Sequence, residues 1–183
     1  MSTMKFTAWQ DLDGNEIANA AYPPGLVLIK SQTISSGVSS VTISDVFTDA
    51  YDNYKIMISG KNSQNAVIRM NVNGVTGATD YDSNAQYFYV YGGTTGWSAS
   101  MYASGDSWNL GWVSTLATGI DVNIYGTRGD GRISYSSTWT SYVSGIAAGR
   151  SIPTSSTQSS GFTVFPTSGT FSGGNIRVYG YRN

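Results

Sequence analysis

Apolar and polar residues alternate with a period of two in four separated stretches of the chain, residues 54–59, 68–73, 120–125 and 176–179. In each stretch isoleucine, valine, methionine or tyrosine occupies every second position. Successive side chains of a β-strand point to opposite faces of the sheet, so this pattern predicts strands that are buried on one face. Residues 26–29 (Leu-Val-Leu-Ile) are apolar throughout and predict a short buried strand.

Turn signals separate these stretches and define the expected fold. They are Asn73-Gly74, Gly92-Gly93, the run 129–131 and Gly173-Gly174. About eight to ten short strands at this spacing predict an all-β fold, an antiparallel β-sandwich with jelly-roll or Greek-key topology. A parallel β-helix is the alternative, but the chain lacks the fixed repeat that a β-helix requires. The spacing of apolar residues in 43–51 also allows one helical turn there.

The first residues of the chain predict a short N-terminal arm. Pro23 and Pro24, followed by a glycine, can continue neither a helix nor a central strand. We therefore expect residues 1–22 to form the arm and residues 23–183 to form the β-sandwich domain. Three arm residues are too apolar for an inert tail, and we expect them to anchor the arm to a partner surface: Phe6, Trp9 and Ile17.

Composition narrows the possible chemistry. The chain of 183 residues contains no cysteine and no histidine, which excludes thiolate nucleophiles, the serine–histidine couple and the commonest metal ligand. Charged residues make up 11% of the chain and the formal net charge is −1, so the sequence offers no basic stripe for nucleic acid. No apolar run approaches the length of about 20 residues that a membrane-spanning helix needs. We therefore expect no enzyme activity, cofactor, metal site, nucleic-acid partner or membrane insertion.

Three acidic motifs each have a functional and a simpler interpretation. Asp80 and Asp82, with Asp106 further on, could supply the carboxylate pair of a glycosidase, but their segment is more typical of a solvated loop. The run 11–16 (Asp-Leu-Asp-Gly-Asn-Glu) lacks the ligand spacing of an EF-hand and is typical of an acidic turn. The adhesion tripeptide 128–130 (Arg-Gly-Asp) contains the residues that a tight hairpin turn requires.

Aromatic residues make up 13% of the chain and are dense between positions 87 and 112. Tyrosine and tryptophan combine a large apolar area with a polar group, so they favour subunit interfaces and also stack on sugars. Six of them are candidates for an interface or a glycan contact: Tyr87, Tyr89, Tyr91, Trp97, Trp108 and Trp112. Packing in the sandwich core is the third interpretation, and the sequence leaves all three open.

Four segments carry a resemblance to a known group of proteins. They are residues 23–32 (Pro-Pro-Gly-Leu-Val-Leu-Ile-Lys-Ser-Gln), 41–43 (Val-Thr-Ile), 51–59 (Tyr-Asp-Asn-Tyr-Lys-Ile-Met-Ile-Ser) and the stretch 169–182, which ends in Ile-Arg-Val-Tyr-Gly-Tyr-Arg. In these segments the chain resembles small virion proteins of tailed bacteriophages, including cyanophages. That group includes tail-fibre, receptor-binding and head-decoration proteins. The resemblance implies a β-sandwich virion component, often trimeric, without a catalytic motif.

The length of the arm favours one virion role over another. A short arm with a few apolar residues suits a protein that clips onto a capsid lattice, whereas a tail fibre usually needs a long shaft or a large docking domain. We therefore expect a homotrimeric capsid decoration (cement) protein on the outer surface of the virion, bound to the major capsid protein through its arm. The alternative is a small tail-fibre or tail-tip protein that contacts other tail proteins and binds host surface glycan. A polysaccharide-degrading enzyme is disfavoured by the composition described above.

Overall fold

A computed structural model describes residues 8–10, 16–19, 25–73, 81–91, 94–127, 133–141, 143–151 and 159–182. This part of the chain contains fourteen β-strands and no helix. The strands are β1 (Ala8–Gln10), β2 (Glu16–Asn19), β3 (Gly25–Ile34), β4 (Val41–Ile43), β5 (Asn53–Asn62), β6 (Ala66–Val72), β7 (Tyr81–Tyr91), β8 (Thr94–Gly105), β9 (Trp108–Val113), β10 (Thr118–Tyr125), β11 (Ile133–Thr140), β12 (Val143–Ser151), β13 (Phe162–Pro166) and β14 (Phe171–Arg182).

Eight of these strands form a jelly roll. One half has the order β3-β14-β5-β10 and the other half has the order β4-β13-β6-β9, with antiparallel pairing throughout. Along the chain β3 to β6 alternate between the two sheets, and β9, β10, β13 and β14 alternate again. Two interlocked Greek keys of this kind define the double-sheet jelly roll. The predicted antiparallel sandwich is confirmed, and its topology is the jelly roll.

Two inserted hairpins enlarge one sheet of the jelly roll. The hairpin β7–β8 follows β6, and the hairpin β11–β12 follows β10. They pair side by side and continue the first sheet, whose full order is β3-β14-β5-β10-β11-β12-β7-β8. The second sheet keeps its four strands. The large sheet therefore presents a broad outer face, which the small sheet does not cover.

The core follows the alternation that the sequence predicts. In β6 the exposure alternates strictly, with Ile68, Met70 and Val72 buried and the residues between them half-buried. The inward residues of β5, β10 and β14 are buried in the same way: Tyr54, Ile56, Ile58, Ile120, Val122, Ile124, Ile176 and Val178. Each large apolar side chain buried in this way contributes about 1.5–3 kcal/mol, so these strands provide much of the stability of the sandwich.

Ile43 ends β4 and residues 44–51 form a loop, in which the helical turn that the sequence of 43–51 allows does not occur. The backbone amides of Val46 and Phe47 both donate to the Ser160 carbonyl oxygen, at 2.9 and 3.2 Å. The Tyr54 hydroxyl accepts a hydrogen bond from the Thr48 amide at 2.7 Å and donates one to the Thr48 carbonyl at 2.9 Å. These bonds use backbone groups that a helical turn would need, and the segment forms instead a single hydrogen-bonded turn, in which the Tyr51 amide donates to the Thr48 carbonyl oxygen at 3.4 Å.

Residues 26–29 form an edge of the large sheet, which corrects the expectation of a buried strand. In the described part of the chain β3 pairs with β14 alone. Leu26 and Leu28 are 46% and 53% exposed. An apolar run does not by itself show how many neighbours a strand has, and an edge strand buries less of its surface than a central one.

Gly173 and Gly174 do not form a turn as expected, but lie within the long strand β14. The register of β14 against β5 shifts between Phe171 and Gly173, which marks a β-bulge. Both glycines have positive φ, 124° and 149°, and a Cβ on Gly174 would clash with the Ser59 carbonyl oxygen. The other predicted turns, at 73–74, 92–93 and 129–131, include residues outside the described part of the chain.

The Trp139 ring packs in a space that two glycines leave open. Trp139 lies on β11 and is 3% exposed. A Cβ on Gly111 of β9 would come within 2.7 Å of the indole ring, and a Cβ on Gly145 of β12 would overlap it and lie 2.5 Å from the Gln86 carbonyl oxygen. The absence of side chains at these two positions therefore allows the large sheet, the small sheet and the inserted hairpin β11–β12 to pack closely.

We predict that Gly145→Ala destabilises the protein by about 1–3 kcal/mol, the usual cost of overpacking a filled core. The matched control is Gly119→Ala, because a Cβ at position 119 would meet Thr140 Oγ1 at an ordinary 3.8 Å. This control should leave the free energy of unfolding unchanged or raise it by up to about 1 kcal/mol, since glycine in a strand interior is entropically costly. Urea denaturation measures both changes. Equal stabilities of the two variants would contradict the packing described for Trp139.

Candidate functional site

The predicted anchor residues fall in or near a small separate sheet. β1 and β2 pair with each other, with Ala8 opposite Asn19 and Trp9 opposite Ala18. The register shifts after Trp9, and Ile17 is the extra residue of the resulting bulge. Phe6 lies outside the described residues, as do the side chains of Trp9 and Ile17. The anchoring role of the three residues stays a prediction.

Four of the six aromatic candidates lie on the inserted hairpin β7–β8. Backbone pairing places Tyr87 opposite both Gly145 and Ser98, Tyr89 opposite Val143 and Gly96, Tyr91 opposite Thr94, and Trp97 opposite Phe88. The four positions therefore lie near the same end of the hairpin, but Trp97 shares the register position of Phe88 and is one residue out of step with the three tyrosines. Their side chains lie outside the described part of the chain, so an interface or glycan role for them also stays a prediction.

The other two aromatic candidates, Trp108 and Trp112, are separated by a β-bulge. Trp108 is fully buried and stacks on Tyr135, with ring centroids 4.7 Å apart. The expectation that it contacts a partner or a glycan is therefore wrong, and it is a core residue. Four positions further on, the register of β9 against β6 has shifted, and Trp112 is half-buried while Val113 takes the inward position. A strict period of two would place both tryptophans on one face.

The acidic candidates do not form a catalytic pair among the described residues. Asp82 forms an ion pair with Arg150 at 3.0 Å, and Asp106 forms one with Arg69 at 3.7 Å. Asp80 and the runs 11–15 and 128–130 lie outside the described part of the chain. Within that part there is no group of three or more residues with metal-binding side chains. No helix there is long and apolar enough to cross a membrane.

The outer face of the large sheet carries a row of side chains that crosses seven strands. Register pairing aligns them from β3 to β7 in the order Ser31, Arg177, Met57, Asp121, Thr138, Ile146 and Gln86. Five members of the row are polar, and its two apolar members are well exposed, Met57 at 38% and Ile146 at 50%. Lys55 lies beside the row and forms an ion pair with Asp121 at 3.5 Å. We call these seven residues the outer row.

Two depressions lie along the outer row. The first has a volume of about 360 Å³ and is lined by residues of β5, β10, β11 and β14, including Met57, Asp121, Thr140 and Arg177. The second has a volume of about 350 Å³ and is lined by residues of β7, β11 and β12, including Ile146. Thr138 lines both depressions. Together they make the outer row a candidate ligand surface.

Sequence reasoning missed this surface because its members come from seven strands that are far apart in the chain. The alternation identifies Met57 and Asp121 as outward residues, yet nothing local places them beside each other. Their adjacency depends on the register of β5 against β10. The one available signal is Gly119, a glycine in the otherwise regular strand β10, since such glycines often mark a place where another molecule approaches.

Comparison with known proteins shows neither a family nor a function for the chain. No protein-family model matches the chain, and no curated protein does. Among solved structures it is similar to the VP2 subviral particle of infectious bursal disease virus, with 16% identity over 86% of this chain and a TM-score of 0.15. The Gx strain of the same virus gives 13% identity over 98% of this chain and a TM-score of 0.15.

The chain spans less than half of each of these viral chains, 42% and 44%. A TM-score of 0.15 is too low to support an argument about either topology or function. The jelly-roll topology therefore rests on the strand pairing alone.

We predict that Trp108→Ala lowers the free energy of unfolding by about 3–5 kcal/mol, the usual cost of truncating a buried tryptophan. The matched control is Trp112→Ala on the same strand, which should cost clearly less because Trp112 is half-buried. Urea denaturation followed by tyrosine fluorescence or circular dichroism measures both. A Trp108→Ala variant as stable as the natural protein would show that this indole does not fill the core.

Proposed function

We propose that the protein is a non-catalytic structural component of a virion, a decoration (cement) protein that binds the capsid through its N-terminal arm. In this proposal the jelly roll lies on the outer surface of the particle, and Phe6, Trp9 and Ile17 contact the major capsid protein. The protein is an oligomer, with three copies as the expected number, and it uses no cofactor.

The pairing of the arm strands outside the sheets of the jelly roll is the observation that supports the proposal. In the described part of the chain β1 and β2 pair with each other, whereas both sheets of the sandwich are built from residues 25–182. The buried core that the structure describes runs from Ile34 to Val178. In this proposal the arm's apolar residues are buried against the capsid. Burying one of them contributes about 1.5–3 kcal/mol before ordering costs.

Both the jelly-roll fold and the sequence resemblance support a virion role. The double-sheet jelly roll is common in viral capsid proteins, although it also occurs in lectins and cupins, so it does not define a function. The chain resembles small virion proteins of tailed bacteriophages in residues 23–32, 41–43, 51–59 and 169–182. Asp82 and Asp106 each form an ion pair with a different arginine. Surface ion pairs of this kind are ordinary structural features, so they support a non-catalytic role.

The edge strand β3 supports oligomerisation. It presents ten residues with an unpaired edge in the described structure, and Leu26 and Leu28 project from it 46% and 53% exposed. An exposed apolar edge strand is a site of association unless it is covered. Few charges are available to keep copies apart, because charged residues make up 11% of the chain.

A receptor-binding protein at the tail is the second candidate, and the outer row is the observation that favours it. Two adjoining depressions with mainly apolar surfaces and a few hydroxyl and amide groups suit recognition of a host surface glycan. The number of copies per purified particle separates the two roles. Hundreds of copies per particle indicate decoration of the head, whereas a few to a few tens of copies indicate the tail.

We predict that a variant without residues 1–22 keeps its fold and loses its binding to particles stripped of the protein. Its melting temperature should lie within about 2–4 °C of that of the full chain, which corresponds to a change of about 1 kcal/mol or less. Trp9→Ala should weaken binding by about tenfold or more, while Trp9→Phe, which keeps an apolar ring, should weaken it less. A truncated protein that still binds stripped particles with full affinity would refute anchoring. Loss of the oligomer instead would identify the arm as a contact between subunits.

We predict that the full chain scatters light as an oligomer, with a mass of about three times the 19.5 kDa of one chain. The double variant Leu26→Lys, Leu28→Lys should lower this mass, because it places charges on the exposed edge. Leu116→Lys is the matched control, since Leu116 is 67% exposed and lies outside the strands of the sandwich. A stable monomer at micromolar concentration would contradict the proposed oligomer.

A further inference from the structure

The depression beside Met57 exists because β10 has no side chain at Gly119. Register pairing places Gly119 between Ser59 of β5 and Thr140 of β11, on the outer face of the large sheet. The neighbouring outward residues Met57 and Asp121 then form one wall. The floor is the sheet backbone itself, so a ligand in this depression would lie directly on the strands.

Packing within the described chain does not require glycine at this position. A Cβ on Gly119 would meet Thr140 Oγ1 at 3.8 Å, and no other described atom lies closer to it. This is unlike Gly145, where a Cβ would overlap Trp139. Glycine in a strand interior is destabilising by roughly 0.5–1 kcal/mol relative to alanine. Contacts within the described chain therefore do not require a glycine at position 119, and the open space there leaves the depression accessible to a ligand.

The lining of the depression has the chemistry of a sugar-binding surface. Met57 provides an apolar patch between the Arg177 guanidinium and the Asp121 carboxylate. Hydroxyl groups of Ser59, Thr138 and Thr140, together with the Asn175 amide, complete the wall. A pyranose ring presents C–H groups on its faces and hydroxyls around its edge. It can therefore pack on Met57 while its hydroxyls bond to the surrounding polar groups.

Protein and nucleic-acid partners fit this surface less well. The centres of protein interfaces are enriched in aromatic residues, methionine and arginine and depleted in serine and aspartate. The outer row has one methionine and one arginine but no aromatic residue, and its other members are serine, aspartate, threonine, isoleucine and glutamine. Lys55 and Arg177 are balanced in part by Asp121, which forms an ion pair with Lys55, so there is no basic stripe for phosphates.

We infer that the outer row binds a linear saccharide, with one sugar unit in the depression at Gly119 and the chain continuing across Thr138 to the depression beside Ile146. From Arg177 to Gln86 the row crosses five strand spacings of about 4.8 Å, roughly 24 Å in all, so an oligosaccharide fits it better than a single sugar. This binding is independent of the attachment proposed for the arm.

The test uses the full chain and unbranched tetra- to hexasaccharides of glucose, galactose, N-acetylglucosamine and glucuronate as probes. Methyl groups of methionine and isoleucine are labelled for nuclear magnetic resonance. We expect at least one probe to bind and to shift the methyl resonances of Met57 and Ile146. Gly119→Gln, which fills the first depression, should weaken binding at least tenfold with little change in melting temperature. Arg177→Gln should weaken it as well, and Thr42→Gln, an exposed change on the small sheet, should not.

Three results would overturn the inference. The first is that no probe shifts either methyl resonance at millimolar concentration. The second is that folded Gly119→Gln binds as tightly as the natural protein. The third is that Gly119→Gln leaves saccharide binding absent or unchanged but lowers the oligomer mass, which would make the outer row a subunit interface. The methyl shifts of the natural protein show whether a saccharide binds at the outer row even if neither Gly119→Gln nor Arg177→Gln folds.

Discussion

The register of the three central strands β5, β10 and β14 is the constraint on which the rest of the molecule depends. Ile56 pairs with Val122 on one side and with Val178 on the other, and Ile58 pairs with Ile120 and Ile176. A slip of one residue would turn these apolar side chains out to solvent and bring their polar neighbours into the core. The same register places the outward residues, so the core that holds the sheet together also aligns Arg177, Met57 and Asp121 on its surface.

The inserted hairpin β11–β12 is fixed to the small sheet by hydroxyl groups as well as by apolar packing. The Tyr135 hydroxyl donates to the Asn109 carbonyl oxygen, and the Ser137 hydroxyl donates to the Leu110 carbonyl oxygen, both at 2.7 Å. Each such bond contributes about 0.5–1.5 kcal/mol, and leaving these buried groups unpaired would cost more. A chain with few charges thus uses serine, threonine and tyrosine for the polar contacts inside the sandwich.

The alternation of side chains could be predicted from the sequence wherever a strand is regular. It correctly gives the inward residues of β5, β6, β10 and β14, because these strands are long enough for a period of two to be visible. It fails where the outcome depends on neighbours that the local sequence does not specify. Leu26 and Leu28 belong to an apolar run, but β3 lies at a sheet edge and leaves them exposed.

Irregular strands show the same limit. A strict period of two would place Trp108 and Trp112 on the same face of β9. Because of the bulge in this strand, Trp108 is buried in the core and Trp112 is half-buried. The predicted turn at Gly173-Gly174 is likewise a bulge inside β14. The outer row lay beyond sequence reasoning for a different reason. Its members are distant in the sequence, as Ser31 and Arg177 are, and strand pairing brings them side by side. Alternation determines only the face of the sheet on which each residue lies.

The pairing of β3 with β14 has a consequence for how the chain acquires its structure during synthesis. The first strand of the sandwich has its described partner in the last strand, so neither can complete the sheet until residues 171–182 have left the ribosome. Contacts of such long sequence separation make folding slow, because the entropy of a large loop must be overcome before they form. A chain interrupted before β14 would expose β3 and one side of β5 together. Chaperones and proteases could therefore distinguish unfinished copies from finished ones before assembly.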